Sequence, residues 1–168
     1  ILPYAGVVPT DIKPLGTTGI KLNSVAYANG FWVAVGNNII RSSDAYNWTT
    51  VTNFAAANQY NLRSVIHVDL PLFTGFVACG SGLRTVFNGS YNELVPTSLV
   101  LYSEDGDTWT EAPSFSSKGM NSLASDGSSI VAVGDSGVIY YSQNGADWLG
   151  INEVQCVSVN SSTNELNV

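Results

Sequence analysis

The chain has 168 residues, enough for one domain with a sizeable core. Apolar residues make up 45% and charged residues 11%, and 6 basic against 13 acidic side chains leave a net charge of −7. That balance argues against nucleic acid, whose phosphates demand Lys and Arg, and no apolar run approaches the ~18 residues of a membrane span.

Residues 1–19 form a proline-rich N-terminal extension (Pro3, Pro9, Pro14) in which only Tyr4–Val8 reads as a strand, a candidate closing strand. From residue 20 the chain repeats itself. Leu22, Leu62, Met120 and Val154 share one column. Two places on stand Ser24, Ser64, Ser122 and Cys156, followed by Val25, Val65, Leu123 and Val157. A second apolar run ends each time in glycine: Val33–Gly36, Val77–Gly80, Val131–Gly134. A third run covers Asn38–Ser42, Ser98–Ser103 and Gly137–Ser142, and a fourth Trp48–Val51, Trp109–Ala112 and Trp148–Ile151. These runs are rich in Val, Ile and Tyr and are separated by Gly, Asn, Asp and Ser, the pattern of four short strands joined by tight turns. No segment keeps a 3.6-residue period, so helix is expected to be scarce. A four-stranded unit at a period near forty reads as one propeller blade.

Between the third and fourth runs lies a heptad that ends in tryptophan. It is Ser42-Ser-Asp44-Ala45-Tyr-Asn-Trp48, then Ser103-Glu-Asp105-Gly106-Asp-Thr-Trp109, then Ser142-Gln-Asn144-Gly145-Ala-Asp-Trp148. An Asp or Asn side chain accepts hydrogen bonds from turn amides, Gly tolerates positive φ, the Ser hydroxyl ties the same turn, and the Trp plugs the edge while its N–H needs a partner. Over residues 20–168 the chain resembles the Asp-box (BNR, sialidase-type) β-propeller repeat family. Its box is one residue shorter than usual, with Ala45 for Gly in the first copy and Asn144 for Asp in the third. In this it is similar to secreted bacterial and phage tail or fibre proteins. The resemblance implies an all-β propeller of four-stranded antiparallel blades, three complete and a fourth partial. Blade 1 spans 20–52, blade 2 spans 53–112 with an insertion at 81–98, blade 3 spans 113–151, and 152–168 is the first half of blade 4. That half-blade leaves an open edge to be filled by the N-terminal strand, by another chain or by a missing segment.

Family sialidases use three arginines, a Tyr–Glu nucleophile pair and an Asp acid/base. Arg41, Arg63 and Arg84 stand in no matching motif, so no catalytic role carries over. Glu93 and Asp135 both fall in loops between second and third strands, and chance explains that better than a glycosidase pair. Cys79 and Cys156 occupy core-type columns and read as buried free thiols; with His67 they make no metal pattern, and no cofactor is expected.

In a four-stranded meander the heptads mark one face. The opposite face receives the insertion and the link before the second blade. The residues expected to bind there are Phe54, Asn58 and Tyr60 from the link, and Arg84, Phe87, Asn88, Tyr91, Asn92 and Glu93 from the insertion. Aromatic rings beside amides suit the C–H faces and hydroxyls of a sugar, and the same composition suits a protein surface. The expected function is a non-catalytic module that binds glycan or a surface protein, extracellular or on a virion. The alternative is a structural subunit of a virion, fibre or filament, its blade completed by another chain, with a glycoside hydrolase a distant third.

Overall fold

The computed structural model describes residues 19–52, 59–151, 158–160 and 165–167. The extension strand Tyr4–Val8, the link residues Phe54 and Asn58, and Cys156 lie outside them. Among the described residues the fold is all-β, built on three four-stranded antiparallel sheets with one 3-10 turn at Asp135–Gly137. Sheet I runs β1 (Leu22–Ala28), β2 (Phe31–Gly36), β3 (Ile39–Ser42), β4 (Thr49–Thr50). Sheet II runs β5 (Gln59–Leu70), β6 (Phe73–Phe87), β7 (Asn92–Ser103), β8 (Thr110–Glu111). Sheet III runs β9 (Met120–Ser125), β10 (Ile130–Gly134), β11 (Ile139–Ser142), β12 (Leu149–Gly150). In each, strands neighbour one another in chain order, the meander expected from the four runs. Within residues 152–168, expected to be half a blade, the described residues form a two-stranded ladder of β13 (Ser158–Asn160) and β14 (Glu165–Asn167).

The strands are not uniformly short. The insertion at 81–98 is a continuation of β6 and β7, whose ladder runs unbroken from Phe76↔Ser103 to Phe87↔Asn92. A loop was expected there. Alternating residues such as Arg84-Thr-Val-Phe87 facing Asn92-Glu-Leu-Val95 satisfy each other's backbone groups across the hairpin, which a long structureless loop leaves to water. The turn signal Asn88-Gly-Ser-Tyr91 marks only its tip. Asn88 Oδ1 accepts from Ser90 N at 3.1 Å and Tyr91 N at 3.2 Å, and Gly89 takes φ 98°.

The heptads are turn locks. In the first, Asp44 Oδ1 accepts from Tyr46 N (2.9 Å) and Asn47 N (2.7 Å), Ser42 Oγ accepts from Ala45 N (2.9 Å), and Trp48 Nε1 donates to Ala45 O (3.1 Å). The second repeats this with Asp105, Ser103 and Trp109, and in the third Asn144 Oδ1 does the work of the carboxylate. The central position is left-handed in all three: Ala45 at φ 64°, Gly106 and Gly145 at 74°. Gly is required twice for a second reason. A methyl at Gly106 would stand 2.8 Å from Val33 Cγ2, and one at Gly145 3.2 Å from Val77 Cγ2. The second and third heptad turns therefore seat on the second strand of the sheet before them.

Two apolar cores fill the spaces between consecutive sheets. Val33, Val35 and Val51 of sheet I meet Leu62, Val65 and Trp109 of sheet II; Val77, Cys79 and Ala112 of sheet II meet Met120, Leu123 and Trp148 of sheet III. Alternation within each strand divides the residues: Val77 and Cys79 face one core while Ala78 faces the other. Cys79 is a free buried thiol, and burial pushes its pKa up to about 12 against the opposing Arg63 charge. The serine column ties sheet to sheet: Ser24 Oγ accepts from Val65 N at 3.1 Å, and Ser64 Oγ from Leu123 N at 3.3 Å. The sheets thus pack in one direction, the trailing face of each against the leading face of the next.

Candidate functional site

The first strands carry the same irregularity. The register shifts between Leu22 and Ser24, between Leu62 and Ser64, and between Met120 and Ser122, so Asn23, Arg63 and Asn121 are the unpaired residues of three equivalent β-bulges. A bulge bends its strand and re-aims one side chain. The repeated glycine opposite makes room for it. A Cβ at Gly80 would fall 2.7 Å from Leu62 Cα and nearer still to the Asn61 carbonyl oxygen, and Gly36 and Gly134 are crowded by the carbonyls of Lys21 and Gly119.

The re-aimed side chains form a polar row at the end of the sheets away from the heptads. Asn23 Nδ2 donates to Leu62 O (2.6 Å) and Asn61 Oδ1 (2.9 Å). Arg63 donates to Asn121 Oδ1 and pairs with Asp135 at 3.4 Å, while Asn121 Nδ2 donates to Asp135 Oδ1 at 3.0 Å. The Asn121 amide and then the Arg63 charge outweigh desolvation and hold the Asp135 carboxyl below its ordinary range. In sequence this row is hidden, because a bulge residue looks like any polar strand residue. The signal that could have found it was the glycine column standing opposite one polar position in every copy.

At the same end the β6–β7 hairpin projects beyond the β5 ladder, which ends at Gln59↔Leu83. Directly opposed residues share a face, so Arg84, Val95, Val86 and Glu93 line one side and Thr85, Leu94, Phe87 and Asn92 the other. Phe87 is 66% exposed and Tyr91 61%, with Val86 and Leu94 about half exposed. An open groove of about 380 Å³ runs beside β7, with Val86, Val95, Pro96 and Phe115 as apolar lining and Arg84, Thr97 and the serines of 114–117 as polar lining.

The structure separates the expected binding residues. Phe87, Tyr91, Asn92 and Glu93 are exposed together at the hairpin tip. Tyr60 is a strand residue packed on the first core, where burial raises its pKa, so it is no exposed platform. Arg84 is ion-paired with Glu111 of β8, which fixes the base of the hairpin. The Asn88 side-chain oxygen Oδ1 is committed to the turn. Phe54 and Asn58 fall outside the described residues. Of the two carboxylates considered for hydrolysis, Asp135 belongs to the polar row, whereas Glu93 lies opposite Val86 on the hairpin. His67 packs its ring edge on Phe76 at 5.1 Å. Among the described residues no group of His, Cys, Asp and Glu has the arrangement to hold a metal ion, and no helix is long and apolar enough to cross a membrane. A scan of protein-family models finds no match to this chain, and a search of curated proteins finds none either.

Proposed function

We propose that the three sheets are consecutive blades of an Asp-box type β-propeller, and that this chain is a non-catalytic binding module. Its ligand surface is the face opposite the heptads. The propeller reading is supported by the one-directional packing of the sheets, by the bulges that set all three first strands alike, and by the heptad turns. The observation that carries the binding reading is the hairpin: it lifts Phe87 and Tyr91, with Asn92 on the Phe87 side and Glu93 on the other, beyond the β5 ladder at the same end as the polar row. Loops and tips on a rigid scaffold are where recognition is placed, and exposed aromatics next to amide and carboxylate groups fit a glycan or a protein surface. A non-catalytic role is supported by the arginines. Arg41 lies over the Phe31 ring at 3.4 Å, Arg63 pairs with Asp135 and Arg84 with Glu111, so each is held by a different partner. The test is a glycan array and a panel of cell-surface proteins probed with the chain and with Phe87→Ala and Tyr91→Ala. Hits that both changes weaken at least tenfold support the reading; hits that neither touches refute it.

A further inference from the structure

We infer that a second copy of this chain docks its sheet I on the outer face of sheet III, repeating head to tail the packing that joins I to II and II to III. This does not depend on the ligand-binding reading. Three repeat columns form the leading face of each sheet. Leu62, Val65 and Trp109 of sheet II and Met120, Leu123 and Trp148 of sheet III are all buried, 9% exposed at most. Their counterparts in sheet I are open: Leu22 is 45% and Val25 54% exposed, and Trp48 is half-buried. Three other columns form the trailing face. Val33, Val35 and Val51 of sheet I and Val77, Cys79 and Ala112 of sheet II are buried, whereas Val131, Val133 and Ile151 of sheet III are 37%, 41% and 47% exposed. One chain therefore presents both halves of an interface that it already makes twice internally.

The polar contacts continue in register. Ser122 holds the column of Ser24 and Ser64, so its hydroxyl would accept the amide of Val25 of the second copy, as Ser64 accepts that of Leu123. Asn23 reaches the residue before Leu62, and the residue in that column of sheet I is Lys21. The carboxylate of Asp135, half exposed beside Asn121, thus meets a lysine. One side chain crowds the fit: by the seating of Gly106 on Val33, the Ala45 methyl lies against Val131. A contact of this kind is heterologous, closing into a ring if the rotation permits and otherwise growing.

Sedimentation velocity of the chain at about 100 µM, well above a low-micromolar Kd, should show species larger than the monomer. Val25→Asp and Val131→Asp should each weaken association at least tenfold, and both positions are open enough for Asp to leave the fold intact by circular dichroism. Mixing the two variants should restore association, because one retains an intact sheet III face and the other an intact sheet I face. Lys21→Glu should weaken it several-fold and Ala45→Gly strengthen it. A monomer at that concentration, association indifferent to both Val changes, or no recovery on mixing overturns the proposal.

Discussion

Replacing Gly80 with alanine adds a single methyl, and the structure says it has nowhere to go. Its Cβ would stand 2.7 Å from Leu62 Cα and 2.8 Å from the Asn61 carbonyl carbon, with the Asn61 oxygen closer still. All three are backbone atoms of the bulge, so no side-chain rotation relieves the contact. Carbon atoms sit comfortably about 3.5–4 Å apart, so the strand must retreat by the better part of an ångström. Overpacking costs about 1–3 kcal/mol, and here the retreat also flattens the bulge that aims Arg63 at Asn121 and Asp135. We expect a loss of about 3 kcal/mol, a drop of roughly 6–12 °C in Tm for a chain of this size. Urea titration followed by tryptophan fluorescence should show a lower midpoint at unchanged slope. Gly150→Ala is the control, because the nearest atoms its methyl meets belong to the movable Tyr140 ring, the closest at 2.9 Å. If Gly80→Ala is within about 0.5 kcal/mol of the parent, below the usual scale of overpacking, the bulge does not depend on glycine and the reasoning fails.

Other consequences can be checked on the same preparation. Trp109 is 4% exposed, so Trp109→Ala should cost about 3–5 kcal/mol, and Trp48→Ala, half-buried on the open leading face, less than half of that. Ser64→Ala strips the Leu123 amide of its acceptor between two sheets; we expect a loss of about 1 kcal/mol and faster hydrogen exchange at Leu123. Burial alone would raise the Asp105 pKa, but the amides of Thr108 and Asp107 and the Ser103 hydroxyl, helped by the Arg41 charge, outweigh it and hold the carboxyl below its ordinary value. The unfolded chain therefore takes up protons first as pH falls, so this contribution is complete above the ordinary carboxyl pKa of about 4 and is lost as pH drops through the lower folded value. Asp105→Asn keeps the acceptor, as Asn144 does in the third heptad, but not the charge, so it should flatten the acid limb of a urea-midpoint profile by lowering the neutral value toward the acid one.

Much of the fold was legible because it is written in triplicate. The four runs, the heptad turns and the core columns each occur in every sheet, so period and strand count could be read from Val, Gly and Trp alone. The insertion was not legible as strand. Its Asn88-Gly-Ser-Tyr91 centre carries turn chemistry, and only pairing across the turn shows that Arg84–Phe87 and Asn92–Val95 extend the ladder. The site was half legible for the same reason. Phe87 and Tyr91 stand out as apolar residues near a turn, but composition cannot tell Tyr60, packed on the core, from Tyr91, or reveal that Arg84 has Glu111 as its partner. The bulge row Asn23, Arg63 and Asn121 was hidden because its cause lies in the glycines facing it. The exposed columns of sheets I and III are visible only as burial, since in sequence Val25 and Val131 are indistinguishable from Val65 and Val77.

The proposal that the binding surface lies on the hairpin face is tested most directly by setting the two faces against each other. Tyr46, 71% exposed in the first heptad turn, is the aromatic control on the far face. On the same glycan and surface-protein panel, Phe87→Ala and Tyr91→Ala should abolish binding that Tyr46→Ala leaves intact. Binding lost with Tyr46→Ala and kept by both hairpin variants would contradict it.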